Sequence, residues 1–349
     1  NELHHADIAE ILDELDFNEA TYIFKVLDSD KTAEILLELD DDLRENILSR
    51  LSPKEIAEEL DELDTNDAAD IIAELSQSKK QEVISELQDV EHAKDIVDLL
   101  RYDENTAGGL MHKELVKVNE NWNVLTCIKQ MRIQAENISR VHSIYVVDEQ
   151  DKLLGRLSLK DLLTTSAKTP ISEVYIRKLN FVKVTTEDVE VARIMQKYDL
   201  EAIPVVNIQG RLLGRITIDD VVDFITESAQ EDIQVMAGIS EDVEEDDSVW
   251  LLVRSRLPWL IGGMVGSFLA AKIIDRFDDT ISILPAISAF IPLIGSTGGN
   301  VGIQSSSLIV QSLADKSGLD TTLWKRLQKV LLVALINALI AAIFAFGCS

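Results

Sequence analysis

The feature that most constrains this chain is a set of long charge-free runs confined to its last 93 residues. Thr280 to Ala314 passes 35 residues without a charge, and Val330 to Ser349 adds 20 more. Leu257 to Ala271 contributes 15, extended past Lys272 by Ile273 and Ile274. Roughly 20 apolar residues cross a bilayer, and a lysine near a helix end snorkels to the interface. One such run fits the buried helix of a soluble protein. Three in succession read as a membrane domain with spans at 257–276, 280–312 and 328–349. Arg254 and Arg256 precede the first span, and Lys316, Lys325, Arg326 and Lys329 lie between the second and third. The loop between the first two carries Lys272 and Arg276 against Asp275, Asp278 and Asp279. Positive charge stays inside, so residues 1–256 are expected to be cytoplasmic. The chain begins without Met or a cleavable signal peptide and stops directly after an apolar run, which reads as a trimmed chain.

The second run is unusual in composition. It holds Pro285, Pro292, Gly295, Gly298, Gly299, Asn300, Gly302 and Gln304, followed by three serines. Two prolines and four glycines are expected to break a helix in lipid, and broken backbone survives there only inside protein or beside a wet cavity. Freed carbonyls and the Asn300 and Gln304 amides then face a hydrated ion. Close helix packing through small residues accounts for the glycines alone.

Ahead of the membrane domain the charge is strongly partitioned. The whole chain carries a net −29, of which residues 1–110 supply −23 and residues 231–249 supply −8. This acidity excludes a nucleic-acid binder, because phosphate backbones need clustered Lys and Arg. Disorder is excluded too, since Ile, Leu and Val recur throughout the acidic stretches. The two cysteines, Cys127 and Cys348, allow no disulfide framework and no Cys-based zinc site. Of five histidines only His4 and His5 are close together, and none shows metal-ligand spacing. No nucleophile–base pair or phosphate loop points to an enzyme.

Residues 1–110 contain a repeat. Asp7–Asp16 returns as Glu55–Asp64, identical at eight of ten positions at an offset of 48. Ile56, Leu60 and Leu63 fall at helical spacing, and Ser52-Pro53-Lys54-Glu55 offers an N-cap, a proline at the first position and a capping-box glutamate. Short helices stacked as an all-α solenoid fit this pattern. Its acidic outer face is either plainly solvated or, where it meets another acidic surface, a binder of divalent cations.

Residues 111–228 contain a second repeat. Ile144–Asp161 aligns with Ile203–Asp220 at an offset of 59. Each copy reads strand, tight turn, strand and then a helix, preceded by a helix (Val124–Ile133, Val189–Tyr198) and a short strand (Leu115–Val118, Phe181–Val184). The pattern resembles a pair of cystathionine-β-synthase-type (CBS) modules, 111–170 and 171–228. Both copies carry Gly-x-hydrophobic-Ser/Thr-x-x-Asp, as Gly155, Ser158, Asp161 and Gly214, Thr217, Asp220. In that family the Ser/Thr and Asp often hold the ribose of an adenine nucleotide; alternatively Ser158 and Thr217 cap the following helix. Asn207 stands in the second copy where the first has Asp148.

Residues 229–256 hold an acidic connecting segment with eight acids and no base between 231 and 249. Carboxylates packed this closely either repel as a solvated linker or share a hard divalent cation.

Acidic solenoid, CBS pair, acidic connecting helix, and a span containing Gly-Gly-Asn-x-Gly-x-Gln stand here in one order. That order resembles the MgtE family of bacterial magnesium channels. Arg101–Met111 looks like that family's solenoid-to-CBS junction, Glu231-Asp232-Ile233-Gln234 like the start of its plug helix, and Pro292–Gln304 like its pore-lining second span. The resemblance implies a homodimer in the bacterial plasma membrane, with a pore between subunits. It implies that cytoplasmic Mg²⁺ bridges acidic residues and holds the pore shut, and that ATP binds the CBS pair in some members. By that reading Asp103, Glu104, Asp232, Glu241, Glu244, Glu245 and Asp247 are Mg²⁺ bridges. Pro292, Gly298, Gly299, Asn300, Gly302 and Gln304 line the pore, and Ser158, Asp161, Thr217 and Asp220 contact nucleotide. The family's fifth span, with its selectivity aspartate, has no counterpart in these residues. A membrane-anchored Mg²⁺ or adenine-nucleotide sensor without transport is the alternative.

Overall fold

The computed structural model describes residues 3–348 apart from 28, 136–137, 139–140, 142, 241–242, 244–248, 278–282, 284–289 and 315–322. They divide into two units, Asn1–Thr226 and Glu227–Ser349.

The first unit opens with eight short helices: α1 (His5–Asp13), α2 (Phe17–Phe24), α3 (Ser29–Glu38), α4 (Asp41–Arg50), α5 (Pro53–Leu60), α6 (Thr65–Glu74), α7 (Gln77–Glu86) and α8 (Val90–Leu99). Helices two apart in sequence stack: α1 on α3, α3 on α5, α5 on α7, α2 on α4 and α6 on α8. The repeat at offset 48 now has a physical cause. Ile8, Ala9 and Leu12 of α1 and Ile56, Ala57 and Leu60 of α5 are buried at matching positions. The expected capping box also forms: the Ser52 hydroxyl accepts the Glu55 N–H at 3.3 Å, and the Glu55 carboxylate accepts the Ser52 N–H at 2.7 Å. The few cations are used at helix ends. Lys79 Nζ donates to the carbonyls of Leu48 and Leu51 at 2.6 and 3.0 Å, where α4 leaves them without intrahelical partners.

Two three-stranded sheets follow. The first orders β1 (Val116–Asn119), β2 (Ile144–Val147) and β3 (Leu153–Leu157), with β1 parallel to β2 and β2 antiparallel to β3. The second repeats this with β4 (Val182–Lys183), β5 (Ala202–Val206) and β6 (Leu212–Thr217). Helices α9 (Val124–Gln134) and α10 (Leu159–Thr164) belong to the first module, α11 (Asp188–Tyr198) and the start of α12 (Ile218–Ala237) to the second. Asn207 is a faithful stand-in for Asp148. Each carboxyl or amide oxygen accepts two backbone N–H groups of its hairpin turn, at 2.8 and 2.9 Å for Asp148 and 2.9 and 3.0 Å for Asn207.

The cores are unequal. The first module buries its own cluster, Val116, Val118, Val124, Cys127, Ile144, Val146, Leu157, Leu162 and Ile171. The core of the second module is continuous with that of the helical segment through Ala107 and Met111. Residues just before β1 are therefore structural parts of the second module, although the expected division falls at 110/111.

In the second unit, two expectations change. The connecting helix was expected over 229–256; instead α12 runs without a break from the second module to Ala237 and ends at Gly238, whose φ of +80° suits glycine. A Cβ there would also lie 2.6 Å from the Trp259 ring of α13 (Val249–Asp275). The expected break in the second span is also corrected: α14 (Phe290–Ala314) is a continuous helix through Pro292 and the four glycines. Pro292 sits in the first turn, where a missing N–H costs nothing. Thr297, Ser305 and Ser307 return their hydroxyls to carbonyls four residues back, at 2.8, 2.8 and 3.0 Å, so these polar groups are satisfied within the helix. Pro285 lies outside the described residues. The last helix is α15 (Leu323–Cys348). Among the described residues, Val249–Asp275 is long and apolar enough to cross a bilayer, and Val330–Ile343 is a shorter apolar stretch.

Candidate functional site

A group of closely placed ionisable side chains lies where α6 meets the second CBS module. The route of the chain explains it. Gly108 and Gly109 permit a tight turn: a Cβ on Gly109 would lie 2.6 Å from the Glu104 carbonyl oxygen. The chain then passes Met111 to His112, which pairs with β6 as an extra antiparallel bridge. His112 N–H donates to the Arg215 carbonyl at 2.8 Å, and Arg215 N–H returns to the His112 carbonyl at 3.0 Å.

That pairing buries His112 to 6% exposure and aims its ring at two acids. Nε2 lies 2.7 Å from Asp220 Oδ2, and Nδ1 lies 3.8 Å from Asp64 Oδ2. Asp220 Oδ2 also accepts the Thr217 N–H at 2.9 Å and the Thr217 hydroxyl, while its Oδ1 lies 3.4 Å from Asn66 Nδ2. Asp64 occupies the N-cap position of α6 but makes no capping bond. Glu114 does that work instead: its two carboxylate oxygens accept the Thr65 N–H at 3.1 Å and the Thr65 hydroxyl at 3.0 Å. A carboxylate suits a helix N-terminus, where free N–H groups and the dipole favour negative charge.

The electrostatics follow from the crowding. Burial, and then the charges of Asp220, Asp64 and Asp70, push the Asp67 carboxyl up to about 7, against the opposing pull of His112. Burial works against ionisation of Asp220, but its bonds to His112 and Thr217 outweigh that and hold it below the usual carboxylate range. Burial likewise opposes the imidazolium of His112, yet Asp220 raises the ring above its ordinary value.

The remaining expected site residues are spread along the chain. Thr217 and Asp220, expected as nucleotide contacts, are engaged with each other and with His112. In the first module Ser158 precedes α10 without capping it, and Asp161 is half-buried. Asp103 and Glu104 are exposed in the turn after α8, where Asp103 accepts the Asn105 N–H at 3.1 Å. Asp232 lies on α12, in the second unit. Glu241, Glu244, Glu245 and Asp247 lie outside the described residues. Pro292, Gly298, Gly299, Asn300, Gly302 and Gln304 all lie on α14, with Asn300 and Gln304 one turn apart. Asp64, Asp67, His112 and Glu114 were missed by sequence reasoning; the only local signal was the His112-x-Glu114 pair three residues after Gly109.

The chain matches three family models: "MgtE intracellular N domain" over residues 3–105, "CBS domain" over 107–168 and 171–227, and "Divalent cation transporter" over 291–349. It is 34% identical over 247 residues to a magnesium transporter MgtE of Thermus thermophilus, covering 68% of this chain and 55% of the relative. To a magnesium transporter MgtE of Enterococcus faecalis it is 32% identical over 254 residues, covering 72% and 56%. The chain thus spans about half the length of the curated relatives it matches. Among solved structures it resembles the cytosolic domain of the Mg²⁺ channel MgtE in complex with ATP, with a TM-score of 0.60 and 34% identity, covering 64% of this chain and 91% of that one. The soluble part of a magnesium transporter is similar at a TM-score of 0.58 and 29% identity, covering 65% and 89%.

Proposed function

The chain belongs to the MgtE family, and from that premise we propose that it is the sensor and first membrane spans of a Mg²⁺-selective channel of the bacterial plasma membrane, with residues 1–256 cytoplasmic. The observation that carries transport is a polar stripe. Thr297, Asn300, Gln304 and Ser307 recur at intervals of three and four along α14, a helix that also carries Ser296, Ser305, Ser306, Gln311 and Ser312. Such spacing puts all four on one face. Thr297 and Ser307 return their hydroxyls to the helix, but the Asn300 and Gln304 amides at membrane depth need a partner other than lipid, and a hydrated cation path between two copies of the chain supplies one.

Gating is proposed at the acidic surfaces. Asp103 and Glu104 offer exposed carboxylates on the solenoid side, Asp232 lies on α12, and Glu241, Glu244, Glu245 and Asp247 follow it in sequence, outside the described residues. Oxygen ligands of this kind suit Mg²⁺. When cytoplasmic Mg²⁺ falls, the carboxylates repel and the closed arrangement loses the ions that favour it. For ATP we propose the first CBS module, at Ser158 and Asp161, because the corresponding carboxylate of the second module is bonded to His112 and Thr217.

The test is Mg²⁺ flux into proteoliposomes containing the full-length protein. Asn300→Ala is expected to cut flux about tenfold or more with unchanged expression. Flux indifferent to Asn300 and Gln304 substitution removes the pore assignment, and a full-length protein with no flux at all favours the sensor reading.

A further inference from the structure

We propose that Asp64, His112 and Glu114 form a site for a divalent transition metal of the Zn²⁺ or Co²⁺ type, chemically distinct from Mg²⁺ bridging and independent of whether the chain transports.

Three observations carry it. First, the three residues each offer a ligand atom, and these atoms lie within 4.8 Å of one another. In a four-coordinate site with bonds of about 2.0–2.2 Å the donors stand roughly 3.3 Å apart, so shifts of a fraction of an ångström to an ångström close it. Second, His112 Nδ1 is a buried nitrogen with no hydrogen-bond partner among the described residues, on a side chain more than nine-tenths buried. It faces Asp64 Oδ2 across 3.8 Å, too far for a hydrogen bond. A buried polar atom left in this state costs free energy, and a metal ion satisfies it. Third, the other ring nitrogen is held by Asp220 at 2.7 Å. With Asp220 accepting the Nε2–H, the ring presents its lone pair at Nδ1. A carboxylate behind the imidazole is the usual support of a metal-bound histidine, fixing its tautomer and raising its basicity.

The neighbours fit this reading. Thr65 orients both oxygens of Glu114, which retain lone pairs for a metal. Asp64 is at liberty from capping because Glu114 caps α6 in its place. The imidazole decides the class of ion: it suits Zn²⁺, Co²⁺, Ni²⁺ and Cu²⁺, whereas Mg²⁺ prefers oxygen ligands and keeps its waters. Water completes the coordination. Since Asp64 comes from the helical segment and His112 and Glu114 from the strand-like lead into the CBS pair, the ion ties the two together.

The experiment is an optical titration of the metal-free full chain in detergent with Co²⁺. One equivalent is expected to give visible ligand-field absorption, to be displaced stoichiometrically by Zn²⁺, and to persist in millimolar Mg²⁺. His112→Gln is expected to abolish the band. Asp64→Asn, which removes no capping bond, is expected to weaken binding in a chain that still melts cooperatively. Asp220→Asn, a positioning change, is expected to lower affinity about tenfold to a hundredfold. No visible band, a band that survives His112→Gln, or displacement of Co²⁺ by Mg²⁺ overturns the proposal.

Discussion

Asp67 is the residue whose environment makes the sharpest claim. Its carboxyl is pushed up to about 7 by burial and by the facing acids Asp220, Asp64 and Asp70, with His112 pulling the other way. In the unfolded chain the same group loses its proton near the ordinary carboxylate value of roughly 3.9. Between those limits the folded state holds a proton that the unfolded state has released. Stability from this group is therefore greatest below about pH 4 and is lost as pH rises through about 7. Asp67→Asn keeps the oxygen that Asn66 Nδ2 bonds at 3.0 Å and removes the titration. In metal-free protein the variant is expected to be more stable than the parent above neutrality, by on the order of 2–4 kcal/mol, and to flatten the fall across that window. His112, also raised, contributes in the same direction, while Asp220, lowered, contributes stability that is lost on acidification. Urea unfolding at a series of pH values checks this; an unchanged slope in the variant means Asp67 is ionised in the folded state.

At the scale of elements, two glycines set how each CBS module is completed. A Cβ on Gly155 would lie 2.3 Å from the Ile176 carbonyl oxygen, and one on Gly214 would lie 2.4 Å from that of His112. In both modules a neighbouring segment presses its backbone onto the glycine of the third strand. Alanine at either position must displace backbone, at about 2–3 kcal/mol. Only Gly214→Ala should also weaken Co²⁺ binding, because only there does the displaced segment carry His112 and Glu114. Thermal melts beside Co²⁺ titrations separate the two, and equal loss of Co²⁺ affinity in both variants counts against the route described for His112. These elements also show what local pattern records and what it does not. The buried triplets of α1 and α5, and the two hairpins at offset 59, were legible because each is a local periodicity repeated. The break expected from two prolines and four glycines is absent from α14 because Pro292 falls in its first turn and glycine weakens a helix without ending it, while Pro285 lies outside the described residues. The junction was illegible for another reason. Glu114 caps a helix 49 residues earlier, and Asp220 meets a histidine 108 residues earlier. Such pairings depend on the assembled fold, and no spacing within one element encodes them.

For the whole molecule the governing quantity is where its net −29 resides. Residues 1–110 and 231–249 account for more than all of it, while the CBS pair between them is nearly neutral. Screening and bridging make different demands on an added salt. Screening depends on ionic strength alone: NaCl and MgCl₂ matched in ionic strength relieve repulsion between exposed carboxylates about equally. Bridging depends on the identity of the ion, and a ligand that binds only the associated state stabilises it by about 2.7 kcal/mol at a hundredfold excess over its dissociation constant. At matched ionic strength, millimolar Mg²⁺ is therefore expected to slow proteolysis of the segment after Gly238 in the full chain, and to raise its unfolding temperature, by more than NaCl does. Charge-reducing changes at Asp103 and Glu104 should shrink the Mg²⁺ effect while leaving the NaCl response alone. Equal protection by the two salts reduces the acidic surfaces to solvation and removes the gating proposal, leaving transport to rest on the composition of α14 and on the family matches.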